Sequence, residues 1–245
     1  MSPPRFPPSF LHAVDRWQKG GDRVAKAKRG ERLKREVLAL NDPVICECTR
    51  VVYRRLALPQ SDIWKFITAG LLPEAISAWT VDDDIAKGVK GGIPEEWKAG
   101  KRWFGLILQH EPRPDEVILN LETLWVDMEY QQALSSAGPT KYTEGIRRYE
   151  NSQREVVLEV SHFSLREIWS WGGYSSSVED LAELINGAPA TKEQVEWLRA
   201  VFEEENIPTG ARWTAPAGAR NVTKRVLDHA REKGYPVPQD PAMLP

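Results

Sequence analysis

The stretch Gln153-Arg154-Glu155-Val156-Val157-Leu158 restricts the fold of this chain more than any other. Three polar residues run directly into a β-branched, apolar series, which suits a strand set against a core better than a helix. On a strand, side chains two apart point to the same face. The pattern therefore predicts that Gln153 and Glu155 look into one cleft while Arg154 points away. A carboxylate beside a carboxamide suggests a chemical site.

Two upstream stretches extend that expectation. Residues 44 to 58 read as a strand with Arg54 near its end, and Ile76-Ser77-Ala78-Trp79-Thr80 reads as a short strand carrying hydroxyls. The order arginine, Ser-x-x-Thr, Gln-x-Glu resembles the mono-ADP-ribosyltransferases of the arginine/serine/glutamate group, over residues 45 to 165. The resemblance implies an α+β fold: a pair of packed antiparallel β-sheets with an NAD cleft, flanked by N- and C-terminal helices. It divides the chain into a basic helical region (1–43), a catalytic core (44–172) and a helical extension (173–245).

The same resemblance assigns roles. Glu155 stabilises the positive charge that develops on ribose as nicotinamide departs, the electrostatic logic of glycoside cleavage. Gln153 orients the acceptor. A neutral carboxamide both donates and accepts, so the acceptor is a side chain other than arginine or a nucleic-acid base. Arg54 grips the NAD diphosphate through its planar fork of donors, with Arg55 as its immediate rival. Thr80 or Ser77 supports the glutamate, Trp79 packs beside nicotinamide, and Tyr142 and Tyr149 meet the substrate.

NAD is thus a co-substrate and no metal is required. A toxin or a phage-related defence factor is implied, working in the cytoplasm of its own or a target cell, with an antitoxin or immunity protein as partner. An NAD glycohydrolase, or a non-enzymatic module binding nucleic acid or a partner, stands as the alternative.

Composition adds bounds. With 41% hydrophobic and 28% charged residues, the chain is an ordinary globular one. Its net charge of −2 hides an asymmetry: residues 1 to 40 carry ten Lys and Arg against four acids, or +6. That basic face suits solvent, nucleic acid or NAD phosphates. No stretch approaches the ~18 apolar residues of a membrane span. Cys46 and Cys48, read as buried thiols on a strand, lack metal-ligand spacing. The four histidines are dispersed.

In order, the pattern predicts an extended Pro-rich arm to residue 9, then a helix capped by Ser9 and another over 22–40. A helix capped by Ser61 and closed by Gly70 follows, then a helix opened by Asp82-Asp83-Asp84. Residues 103–109 and 116–121 read as a hairpin, 121–134 as one helix, and 138–152 as a mobile loop. Capping boxes at Ser176/Glu179 and Thr191/Gln194 open two helices, and a third runs over 221–233.

Overall fold

In a computed structural model, the structure describes residues 4–21, 23–88, 103–174, 179, 182, 183, 186, 188–204, 212–240, 243 and 244. Asp22, the predicted loop over 91–100 and the Ser176 cap lie outside the described residues. Two helices, α1 (Pro8–Gln18) and α2 (Arg23–Leu40), precede a 3-10 turn at Pro43–Cys46. Next come β1 (Val52–Pro59), α3 (Gln60–Ala69), β2 (Leu71–Pro73), β3 (Ile76–Thr80) and α4 (Asp83–Gly88). Then follow β4 (Trp103–His110), β5 (Val117–Asn120), α5 (Leu121–Val126), α6 (Met128–Ala137) and α7 (Glu144–Tyr149). The chain continues through β6 (Glu155–Glu159), β7 (His162–Ser164), β8 (Ile168–Tyr174), α8 (Lys192–Glu204), β9 (Arg212–Trp213) and α9 (Pro216–Glu232).

The class is α+β with antiparallel strand pairing. Two compact units are interleaved along the chain rather than consecutive: Met1–Arg54, Leu71–Ile85 and Gln109–Phe163 form one; Arg55–Gly70, Ala86–Leu108 and Ser164–Pro245 form the other. Boundaries at 43/44 and 172/173 therefore do not separate compact bodies. The reason is packing: α1 and α2 share one hydrophobic core with β5 and β6.

In the first unit the strands run in the order β5-β6-β3-β1. Glu155 pairs with Thr80, Val157 with Ala78 and Glu159 with Ile76. Directly opposed residues share a face, and α1 and α2 cover this one: Trp17 bonds Glu155, Lys34 pairs with Glu159 at 2.6 Å, and Val157 joins the core of Phe10, Leu33 and Val37. Gly30 permits the approach, since a Cβ there would lie 2.7 Å from Ile76 Cγ2.

Several local expectations are corrected here. The Pro-rich segment is no extended arm: Phe6 is buried, Pro7 is the N-cap, and Pro8 opens α1 at the position where a missing N–H is harmless. Ser9 therefore caps nothing, and neither does Ser61, because α3 starts at Gln60 behind Pro59. Cys46 and Cys48 lie outside the strand, which begins only at Val52; both are free and half-buried. The Asp42 side chain accepts from Val44 N and turns the preceding residues into the 3-10 turn instead.

The predicted hairpin does not form, because β5 pairs with β6 while β4 pairs with β8. Buried Glu116 meets His110 Nε2 at 2.8 Å and accepts from Arg113 N, building a broad turn in place of a tight one. The single helix over 121–134 is two, since Asp127 accepts from the amides of Glu129 and Tyr130 and restarts the helix as an N-cap. Residues 138–152 are not a loop throughout but contain α7.

The second unit orders its strands β1-β4-β8-β9. α3 is closed by Gly70 at φ 74°, as read from the sequence. The Thr191/Gln194 capping box forms in both directions, at 2.8 and 3.4 Å, and α9 begins five residues earlier than predicted, at Pro216. α9 packs on β8, where Trp171 Nε1 donates to Thr223 Oγ1 at 2.9 Å.

Gly105 and Gly172 face each other across β4 and β8, and a Cβ on Gly105 would fall 2.1 Å from Gly172 O. Backbone cannot swing aside as a side chain can. Gly105→Ala is expected to destabilise the protein by about 2–3 kcal/mol through forced register strain, measured as a lower urea midpoint. An unchanged midpoint would show that the β4–β8 pair yields freely.

Candidate active site

β6 begins at Glu155, not before it. Gln153 sits in a turn, and Arg154 has φ 43°, a left-handed conformation that interrupts strand alternation. Gln153 and Glu155 are therefore not two positions on one strand face, which corrects the expectation of a shared cleft wall. Arg154 explains the kink. Its guanidinium bonds Glu122 at 2.9 Å and Asp82 at 3.1 Å, and Asp82 in turn caps α4 by accepting from Asp84 N and Ile85 N. These contacts hold the Asp82 carboxyl below its ordinary range, led by the Ile85 amide.

Glu155 is 6% exposed, and its Oε1 accepts from Trp17 Nε1 at 2.6 Å. Burial pushes its carboxyl up from the ordinary value, opposed by the Trp17 bond, the Lys26 charge and the Gln18 amide. Thr80 stands directly across from it on β3 and is also buried. Thr80 Oγ1 accepts from Asp82 N at 3.2 Å. Lys26 of α2 holds its ammonium 5.3 Å from the centre of the Trp17 ring. The result is one buried acid bonded to an indole N–H of α1, under the charge of a cation on α2, with a buried threonine as its cross-strand partner.

The remaining cofactor-binding expectations fall on the other face of the sheet. Trp79 alternates with Thr80 and packs against Phe163 and His110, with ring centroids 5.0 and 5.8 Å away. Its Nε1 donates to buried Ser77 Oγ at 3.0 Å, so Ser77 supports the indole and not Glu155. Tyr53 pairs with Thr80, which sends Arg54 to the Trp79 side. There its guanidinium bonds Ala78 O at 3.1 Å and Glu74 at 2.9 Å, 5.9 Å from the Trp79 ring centre. Arg54 thus clamps β3 to its neighbour, and the structure does not bring it together with Glu155. Arg55 alternates to the opposite side of β1 from Arg54.

Tyr142 and Tyr149 are also apart from the acid. Tyr142 is half-exposed and meets His12 edge-on at 4.8 Å. It lines, with Pro8, Leu11, His12 and Thr143, a largely apolar hollow of about 460 Å³. Tyr149 ends α7, with the Arg148 guanidinium 5.4 Å from its ring. Arg32 lies 3.4 Å from His12 Nδ1, and burial together with Arg32 and Arg16 pushes the imidazole down.

The sequence reading missed Gln18 as a site residue and took Lys26 only as part of the basic N-terminal face. A signal for the first existed: Leu11, Asp15 and Gln18 follow helical spacing, so two polar residues interrupt the stripe that buries α1. A polar residue placed on a core-facing stripe and kept there carries a partner or a task.

Comparisons with known protein families, with curated proteins and with solved structures returned no match of any of the three kinds. Among the described residues no helix is long and apolar enough to cross a membrane, and no group of acidic, His or Cys side chains is arranged to hold a metal.

Proposed function

We propose that the protein transfers ADP-ribose from NAD to a macromolecular acceptor other than arginine. One observation carries the reading. The strand that begins with Glu155 lies beside the strand that ends in Thr80, and the two residues are direct cross-strand partners, both buried.

The bond between ribose C1′ and the nicotinamide nitrogen breaks, and its electron pair leaves with neutral nicotinamide. The cationic ribose is then attacked by a nucleophilic atom of the acceptor, which gives its proton to water. An ionised Glu155 in a desolvated setting stabilises the cation more than bulk water would. Thr80 holds a hydroxyl across from that carboxylate.

The diphosphate role shifts from Arg54 to α2. Lys26 already acts on Glu155, and Arg29, one turn further along, keeps a buried Nη1 without a hydrogen-bond partner. Both belong to the basic N-terminal helices. NAD entry separates Trp17 Nε1 from Glu155 Oε1, and the positive nicotinamide ring then favours the ionised acid.

The test uses labelled NAD, the purified protein and whole-cell lysate divided into nuclease-treated and protease-treated halves, with Glu155→Gln in parallel. Label is expected on a macromolecule with the parent protein only, and the treatment that erases it identifies the acceptor. Nicotinamide release without transfer to any acceptor would identify a glycohydrolase. Neither release nor transfer would overturn the proposal in favour of a binding module.

A further inference from the structure

Gln18, the last residue of α1, is 7% exposed, and neither Oε1 nor Nε2 completes a hydrogen bond. An unsatisfied buried carboxamide is disfavoured and in native proteins calls for an explanation. Its surroundings supply one. The side chain follows Trp17, whose indole holds Glu155, and it stands close enough to the same carboxylate to favour its ionised form. Buried carboxylate and unpartnered carboxamide thus lie near one another where Trp17 ties α1 to the start of β6.

We propose that Gln18 is the positioning residue for Glu155 in the ADP-ribosyl transfer described above: it donates Nε2–H to the ionised acid and keeps Oε1 for a ribose hydroxyl. The inference rests on that reading for the ligand but not for the Gln18–Glu155 pairing. Chemistry explains the unmet valences. With Glu155 protonated and bonded to Trp17, Gln18 has little to donate to; with Glu155 ionised, a charge-assisted bond forms. A vicinal diol offers both a donor and an acceptor, as a carboxamide does, so the pair recognises ribose through groups that water would otherwise satisfy.

This assigns to α1 the carboxamide that the Gln-x-Glu pattern sought at Gln153. The motif order singled out Glu155, and the carboxamide proposed here as its partner comes from 137 positions away in sequence, on a different element.

The experiment follows the Glu155 carboxyl by carbon-13 NMR in the full-length protein, with Glu155→Gln assigning the signal, and measures nicotinamide release from NAD over the same pH range. Gln18→Met removes the amide at nearly constant volume, and Gln18→Ala serves if the methionine variant does not fold. The Glu155 midpoint is expected to move upward in the variant, the acid limb of the release profile to move with it, and kcat to fall roughly tenfold, the worth of one hydrogen bond. An unmoved Glu155 midpoint would overturn the pairing, whatever the kinetics. A moved midpoint in a protein that releases no nicotinamide would keep the pairing and reject the ADP-ribosyl reading.

Discussion

Glu155→Gln is expected to abolish nicotinamide release, by roughly 10²–10³-fold or more, and to stabilise the folded protein at neutral pH. The two effects share a cause. Glu155 is buried and its carboxyl is pushed above its ordinary value of 4.5, chiefly by desolvation. In the unfolded chain it ionises near that ordinary value. Between the two values the folded protein retains a proton that the unfolded chain has released, so stability falls as pH rises through this window. Above the folded value the loss is complete and constant. Each unit of elevation amounts to about 1.4 kcal/mol.

Glutamine removes the titration but keeps an oxygen to accept from Trp17 Nε1, the bond that measures 2.6 Å in the parent. Urea midpoints of the two proteins should therefore nearly coincide at pH 4 and diverge as pH rises, with the glutamine variant the more stable. The acid limb of the parent's release profile should fall in the same pH interval, because the protonated acid cannot stabilise a cation. Equal pH slopes for parent and variant would refute the elevation. A variant less stable at pH 8 would show that the negative charge supports the fold instead.

What the sequence made legible follows from how far each interaction reaches along the chain. The capping box at Thr191 and Gln194 and the closure of α3 at Gly70 depend on residues within a turn of one another, and both formed as read. The strand from Ile76 to Thr80 and the run from Glu155 were legible from β-branched and aromatic content. The two-way split of the candidate site was not. It depends on which residue of β1 lies opposite Thr80, and Tyr53 rather than Arg54 occupies that place. A one-residue difference in register exchanges the two faces of a strand, and no local pattern records it.

Gln153 failed for another reason. Alternation presumes an unbroken strand, whereas Arg154 is drawn into a left-handed conformation by carboxylates 32 and 72 residues away, Glu122 and Asp82. Asp127 could be read as an ordinary helical residue or as a cap, and only the structure shows the latter. The α1 residues were visible as a stripe, but the destination of its polar members was hidden until α7 and β6 were in place.

The largest effect on the fold is expected at Asp15, which is wholly buried where α1 meets α7. Its Oδ1 accepts from Gly145 N at 2.6 Å, and Lys19 Nζ lies 3.2 Å from Oδ2. The contact is close enough that a Cβ on Gly145 would approach Asp15 O to 2.5 Å. Asp15→Ala removes a hydrogen bond to a charged acceptor and strands a buried N–H at the start of a helix. Together these losses amount to about 3–4 kcal/mol. Asp15→Asn retains a carbonyl oxygen for Gly145 and should lose about 1–2 kcal/mol, the part that belongs to charge. Because α1 also carries Trp17 and Gln18, loosening it at Asp15 should weaken nicotinamide release at temperatures well below the alanine variant's melting point. Thermal denaturation of the three proteins, with release followed at 25 °C, separates the terms. Equal losses in the two variants would assign the whole effect to charge. A stable alanine variant that has lost release would place Asp15 in the chemistry, and one that keeps both would mean that α1 is held by its apolar face alone.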